Sequence, residues 1–374
     1  MLLRCCYSFT LELMHERFWQ LFFFFSLWQL SKVLAVTFGL GSTSTAMQGD
    51  AGSAFSRASE LSSTIGEYLE KIVALANEIP PLWQISPRLS SNYVRVTDVL
   101  LPSLRELVAE VIASRRLSSL DNQDPARVQQ DSSNAGMGGR EKADLLGVLV
   151  QQPDLTDADI RSILFDVVIA GSDTTASTTT AALYVLHQEG NEKWLRRARE
   201  EAVAANAADD VALEEIRTKL PVATAVAREI LRLYPPVPFV GRTATEDSFL
   251  CDGRYPVFKG ETYCFSPWFL GRDPKAWGGD KKRASQFDPQ RWLDDAVNGQ
   301  APSTFSWLPF GAGPRGCLGT RLGLTEVTLG IARLLRDWDF EFTKTSGPLP
   351  VKYDLTLNLA GLMECKVTKV SPRG

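Results

Sequence analysis

One thiol in this chain stands where a protein rarely places one without a purpose. The stretch Phe310-Gly-Ala-Gly-Pro-Arg-Gly-Cys-Leu-Gly319 sets Cys317 in a glycine-rich turn at the mouth of an apolar helical pattern. Unpaired backbone N–H groups and the positive end of a helix dipole favour the thiolate at such a place. A thiolate is either a nucleophile or a metal ligand. Nucleophilic cysteines usually need a histidine to activate them, and the chain has only two, His15 and His187, neither in a catalytic motif. Ligation is the better reading. Glycines at 311, 313, 316 and 319 remove side chains from the turn, which lets a flat, bulky group lie against the backbone.

Other chemistries fall away on residue types and spacing. The six cysteines, Cys5, Cys6, Cys251, Cys264, Cys317 and Cys365, include no C-x-x-C pair, which argues against a zinc ribbon and against a dithiol redox site. A reducing compartment is the simpler setting. The absence of two histidines at ligand spacing argues against a histidine-rich zinc or non-heme iron centre. His187, late in a helical segment, reads as a structural histidine at a helix end. A net charge of -4 over 374 residues gives no basic field to attract nucleic acid.

Two further spacings matter. Glu229 and Arg232 stand three residues apart in a helical stretch, so their side chains share one face. Ala170-Gly-Ser-Asp-Thr-Thr-Ala-Ser-Thr-Thr-Thr180 fills two to three turns of a long helix with poor helix formers, so something other than local preference favours them.

The elements that must position these residues follow from periodicity. At 44% hydrophobic and 22% charged residues, the chain has the make-up of a globular protein with a sizeable core. A helical pattern runs from Ser59 to Leu75. After the break at Ile79-Pro-Pro, Val99 to Leu117 carries Leu101, Leu104, Val108, Val111 and Ile112 on one face. Residues 118–143 lack apolar period and read as a mobile surface loop. Thr156 with Asp159 forms an N-cap signal for a helix reaching about Gln188. Pro221 to Leu233 is a helix ended by Pro235-Pro-Val-Pro238. Short strands follow, including Tyr263 to Ser266. Leu324, Val327, Ile331, Leu334, Leu335 and Trp338 then keep a helical period, and Leu355 to Leu359 with Leu362 to Val370 alternate around Ala360-Gly361 as a closing hairpin. At the other end, residues 1–40 form an apolar segment interrupted by Gln20, Gln29, Ser31 and Lys32. It is read as a membrane anchor, a buried helix or a mis-joined coding segment.

Phe310, Gly313, Arg315, Cys317 and Gly319 resemble the F-x-x-G-x-R-x-C-x-G heme-binding signature of the cytochrome P450 superfamily, the heme-thiolate monooxygenases. Three further stretches agree in the family's order. Ala170-Gly-Ser-Asp-Thr-Thr175 resembles the oxygen-binding groove of the long central helix. Glu229-Ile-Leu-Arg232 resembles the E-x-x-R pair. Phe287-Asp-Pro-Gln-Arg-Trp292 resembles the segment whose arginine completes that pair, with Gln290 where glutamate is common.

The resemblance implies a mainly α fold with small β-sheets, residues 41–374 forming a cytochrome P450 catalytic domain. The chain is expected to be incomplete at its N-terminus, because no N-terminal sheet and no W-x-x-x-R helix are legible. It implies heme b (iron protoporphyrin IX) with Cys317 as axial ligand. Ala170, Gly171, Phe310, Gly311 and Gly319 would lie against the heme, Arg242 and Arg315 would hold its propionates, and Asp173 and Thr174 would relay protons during oxygen activation. Glu229, Arg232 and Arg291 would form a buried network. Val237, Phe239, Val240 and Leu362 would line a pocket for an apolar substrate.

The implied reaction is hydroxylation with O2 and electrons from a ferredoxin or flavoprotein reductase, since no dinucleotide motif is present. Trp83-Gln-Ile-Ser-Pro-Arg88 and the stretch from Leu231 to Pro238, with the Arg291-Trp292 segment, look most like the plastid carotenoid-hydroxylating branch, which suggests a carotenoid as substrate and leaves a fatty-acid or sterol-like substrate open. The expected setting is intracellular, with membrane association and a plastid address open. The alternatives are a heme-binding chain impaired in turnover and an oxygen-independent isomerase on the same fold.

Overall fold

A computed structural model describes Trp19–Gln20, most of 64–121, 144–205, 215–293, 305–343 and, from there to 370, residues 346, 350–353, 356–359 and 364–370. Of the loop expected at 118–143, residues 118–121 are instead the last turn of a helix, and 122–143 lie outside the described residues, as does the apolar segment 1–40 apart from Trp19–Gln20. The protein is mainly helical with small sheets. Its chain divides into two compact units, and the division falls inside one helix, between Asp173 and Thr174.

In the first unit, residues 64–65, 67–68, 70–72 and 74–75 are helical, as the apolar period predicts. Helix α1 (Leu101–Asp121) is entered through a wider π turn at Val96–Leu100. Pro102 accounts for the widening, because its ring has no N–H to give and crowds the carbonyl one turn back. Leu104, Val108 and Ile112, one turn apart, are buried; Leu101 and Val111 sit half-buried at the margin. They meet Leu146 of helix α2 (Leu145–Leu149) and Ile160, Leu164 and Val168 of helix α3 (Asp157–Leu186) in one apolar cluster. Helix α2 starts on Asp144, which accepts the Gly147 N–H at 2.6 Å and pairs with Arg115.

Helix α3 starts where the cap signal places it. The Asp159 N–H bonds to Thr156 Oγ1 at 3.2 Å, and the Thr156 N–H returns to the Asp159 carboxylate at 3.0 Å. The poor helix formers in its middle are helical because they are buried and satisfied internally. The hydroxyls of Ser172, Thr178, Thr179 and Thr180 each donate to the carbonyl four residues back, at 2.8 to 2.9 Å, so none of them needs a partner outside the helix.

The second unit centres on helices α4 (Glu192–Ala204), α5 (Pro221–Leu233) and α6 (Thr320–Asp337). Trp194, Ala198 and Ala202 form the buried stripe of α4. Pro221 begins α5, and Glu201 of α4 supplies the missing cap by accepting the Val222 and Ala223 N–H groups at 2.6 and 2.9 Å. Among the described residues, four small antiparallel sheets complete the unit. β1 (Trp19–Gln20), β9 (Glu364–Lys369) and β6 (Trp338–Phe342) form one; β2 (Val240–Thr243) pairs β5 (Thr262–Phe265); β3 (Ser248–Leu250) pairs β4 (Tyr255–Val257); and β7 (Val351–Tyr353) pairs β8 (Leu357–Leu359).

Two expectations are corrected here. Trp338 is buried but opens β6 instead of closing α6. The expected C-terminal hairpin does not form, since β8 pairs with β7 and β9 pairs with β6. The pairing has a simple cause: Phe340 faces Val367 and Phe342 faces Cys365 in register, and all four are buried, so the period-2 apolar faces of β6 and β9 coincide.

Candidate active site

The Cys317 turn closes on itself through its backbone. The Gly311 N–H donates to the Leu308 carbonyl at 3.1 Å, Gly316 N–H to the Gly313 carbonyl at 2.9 Å, and Cys317 N–H to the Phe310 carbonyl at 2.8 Å. Gly311 and Gly313 have φ of 69° and 68°, a region that side chains with a Cβ rarely enter. A Cβ on Gly316 would come 3.1 Å from the Gly313 carbonyl oxygen. The Cys317 carbonyl accepts the Thr320 hydroxyl at 2.7 Å, and Gly319 is the N-cap of α6. Cys317 therefore sits just ahead of the first helical residue, Thr320. The thiol is exposed. Arg315 in the 3-10 turn Gly313–Arg315 is exposed too, and so are Leu318 and Leu322, Leu318 fully at 105%. An open thiol flanked by bare glycine backbone and exposed leucines offers a soft ligand on an apolar surface.

A second group of expected residues is brought together at the end of α5. Glu229 and Arg232 form a fully buried bidentate pair, Nε to Oε2 at 2.8 Å and Nη2 to Oε1 at 2.7 Å. All five guanidinium donors of Arg232 are used: the remaining ones go to the carbonyls of Gly271, Ala284 and Gln286. Arg291 joins as the third member, its Nε 3.6 Å from Glu229 Oε1, while its Nη groups donate to the Trp277 and Arg283 carbonyls. Sequence reasoning missed the remaining partners. Glu229 also accepts the Asp288 N–H at 2.8 Å and the Trp292 indole N–H at 2.9 Å. Trp292 lay in plain view beside Arg291; nothing in the sequence marked Gly271. That glycine has no room for a side chain, since a Cβ would fall 2.1 Å from the Arg232 carbonyl oxygen.

A third set gathers around the polyproline turn after α5. The Leu357 N–H donates to the Pro236 carbonyl at 2.7 Å, and the Ser177 hydroxyl donates to the Leu357 carbonyl at 2.6 Å. Phe239 packs edge-on against Tyr353 and Phe269, at 6.1 and 6.2 Å. The stretch from Val237 to Val240 is thus placed beside β7 and β8 and tied through them to α3, one turn beyond Thr174. Val237 and Phe239 are exposed; Val240 is half-buried at the start of β2. Leu362 lies outside the described residues. Arg242, exposed on β2, donates to the Gly241 carbonyl at 2.7 Å. Asp173 and Thr174 are half-buried and Thr174 gives its carbonyl to Thr178; Ala170 is exposed and Gly171 half-buried.

Two titratable groups outside these sets are set by burial. Desolvation holds His187 below the ordinary imidazole value of 6.5, with its ring against Phe340 and Phe342 and its Nδ1 2.7 Å from the Leu183 carbonyl. Burial pushes the Cys365 thiol up to about 12.

A mainly helical fold with small sheets, a buried glutamate–arginine network and a cysteine presented on a glycine turn thus occur together in this chain. The cytochrome P450 family model matches residues 15–362, and the chain belongs to that family. It is 31% identical over 260 residues to a self-sufficient cytochrome P450 monooxygenase of Phanerodontia chrysosporium, covering 70% of this chain and 22% of that protein. To the chloroplastic protein LUTEIN DEFICIENT 5 of Arabidopsis thaliana it is 31% identical over 234 residues, 62% of this chain and 38% of that one. The chain thus spans less than half the length of these relatives. The crystal structure of the cytochrome P450DA heme domain superposes with a TM-score of 0.73 at 22% identity, covering 98% of this chain and 71% of the other, and establishes the fold.

Proposed function

We propose that this chain carries the heme-thiolate site of a monooxygenase acting on an apolar substrate. The observation that carries the reading is the Cys317 turn: an exposed thiol with glycine backbone on either side and leucines beside it, in a chain of this family. Those residues fit heme b. Cys317 Sγ would ligate the iron, Phe310, Gly311 and Gly319 would lie along the ring, Ala170 and Gly171 would leave room on α3, and the exposed guanidinium groups of Arg315 and Arg242 suit propionates. When bound, heme b supplies the reductive activation of O2 that places one oxygen atom in a C–H bond and releases the other as water.

The chain's own residues do the rest. Cys317 would supply the sulfur ligand that holds the iron. Asp173 and Thr174, side by side on α3, hold and pass protons, which suits a carboxylate and a hydroxyl that are half-buried. Val237, Phe239 and Val240 give an apolar face to the substrate, with Leu362 as its expected continuation. Two electrons per turnover come from a ferredoxin or flavoprotein reductase. A carotenoid is the substrate proposed, because the stretches around Trp83 and Leu231 resemble that branch and because one relative is named for lutein. The same relative's chloroplastic name favours a plastid setting.

The test is spectroscopic. Reduced wild-type protein loaded with hemin and exposed to carbon monoxide should give the absorption band of a thiolate-ligated heme, and Cys317→Ser should lose both that band and hydroxylation. An identical spectrum in the serine variant removes Cys317 from the ligand role.

A further inference from the structure

Four aromatic rings run in single file through the second unit toward the Cys317 turn. Ring centroids lie 5.6 Å apart from Trp277 to Trp292, 5.3 Å from Trp292 to Trp307, and 6.1 Å from Trp307 to Phe310, the last two edge-to-face. Each indole is pinned by its N–H: Trp277 to the Leu270 carbonyl at 3.1 Å, Trp292 to the Glu229 carboxylate at 2.9 Å, and Trp307 to the Arg228 carbonyl at 3.3 Å. Guanidinium groups lie over the rings, that of Arg232 4.9 Å from Trp277 and that of Arg228 5.7 and 6.0 Å from Trp292 and Trp307.

The turn these rings approach has little packing of its own. Ala312 to Arg315 and Cys317 to Leu318 are exposed, and two of its glycines adopt positive φ. Glycine loses more conformational freedom on ordering than any other residue, so the shape of such a turn must be imposed at its ends. Phe310 is one end. Its carbonyl accepts the Cys317 N–H at 2.8 Å, and its ring reaches to 3.9 Å of the position a Cβ would take on Gly323 in the first turn of α6. What holds the Phe310 ring from the other side is Trp307.

We infer that Trp307 is a positioning residue for Cys317: it joins the buried Glu229–Arg232–Trp292 cluster to Phe310 and so fixes the backbone that presents the thiol. The role assigned to that thiol rests on the heme reading above; the positioning itself does not. The network therefore reaches the cysteine through side-chain rings as well as along the chain.

Hydrogen exchange by mass spectrometry on the heme-free protein tests this first. In Trp307→Ala, exchange of the Gly316 and Cys317 amides should accelerate about tenfold or more, the scale set by losing ring contacts that hold a low-stability segment. Trp307→Phe keeps the ring edges and should stay close to wild type. Phe310→Leu breaks the same contact from the other side and should reproduce the acceleration even if Trp307→Ala does not fold. Equilibrium hemin titration with the reduced carbon monoxide spectrum follows: Trp307→Ala should bind hemin more weakly with part of its thiolate band lost, and Trp307→Phe should restore both. Unchanged exchange at residues 316 and 317 overturns the inference. So does acceleration by Trp307→Phe equal to that by Trp307→Ala, or acceleration that spreads evenly into β6 and β9, which marks general loss of stability. If wild-type protein takes up hemin without a thiolate band, the heme reading fails while the exchange result still decides the positioning.

Discussion

Replacing Glu229 by glutamine changes one atom type in a fully buried, densely hydrogen-bonded cluster. The carboxylate accepts four hydrogen bonds: Arg232 Nη2 and the Asp288 N–H on Oε1, at 2.7 and 2.8 Å, and Arg232 Nε and the Trp292 indole N–H on Oε2, at 2.8 and 2.9 Å. A glutamine offers one oxygen and one NH2, so either orientation turns the NH2 toward two buried donors. Two donors lose their acceptor at about 1–3 kcal/mol each, or about 2–6 kcal/mol together. Removing one partner of a buried ion pair independently gives about 3–5 kcal/mol. Against a total stability of about 5–15 kcal/mol, a loss of about 3–5 kcal/mol is roughly a fifth of it at the least. Urea unfolding read by tryptophan fluorescence measures this directly. With m near 3 kcal/mol per molar, the midpoint should fall by about 1–2 M while m stays constant. A loss below about 1 kcal/mol would refute the reasoning, since it would mean that water or rearrangement replaces the carboxylate without cost.

Gly271→Ala should cost about 2 kcal/mol or more, because its Cβ would lie 2.1 Å from the Arg232 carbonyl oxygen and the collision is with backbone, which cannot rotate away; unfolding equilibria of the variant decide it. His187 is held neutral below its ordinary value of 6.5, so the unfolded chain binds a proton first as pH falls and stability must drop from about pH 6.5 downward toward the folded value; that slope should vanish in His187→Leu. Alkylation of the native protein should label Cys251, Cys264 and Cys317, which are exposed, and spare Cys365, which is buried with its thiol pushed up to about 12; mass mapping of the labelled peptides is the readout.

Helices were the most legible feature because their signals are local. The reciprocal cap at Thr156 and Asp159, the apolar face of α1 and the proline-bounded α5 are each written within one or two turns of chain. The Glu229–Arg232 pair was legible for the same reason, three residues on one helix. Strand pairing was not: β8 and β9 both carry alternating residues, and which strand each one joins depends on registers with β7 and β6 that no short window contains. The partners of the network illustrate the same limit. The carbonyls of Gly271, Ala284 and Gln286 leave no mark in side-chain identity, since every residue carries a carbonyl, and Gly271 is recognisable only once the Arg232 backbone is seen beside it. Trp307 escaped notice because its importance lies in what stands on either side of its ring.

The saturation of Arg232 bears on how the protein is made. Its three carbonyl partners lie 39, 52 and 54 residues further along the chain, and Trp292 lies 63 beyond Glu229. Helix α5 therefore leaves the ribosome carrying an ion pair whose final partners do not yet exist. At 5–20 residues per second, roughly 3 to 13 s pass before Trp292 has been added. Through that interval the guanidinium must stay hydrated, and the apolar residues of α5 that are buried in the finished protein, from Val222 to Leu233, stay open to whatever else is nearby. The network that buries this helix in the folded molecule is thus completed only once Trp292 has been made, and a chaperone that shields the nascent Pro221–Leu233 segment would act in that interval.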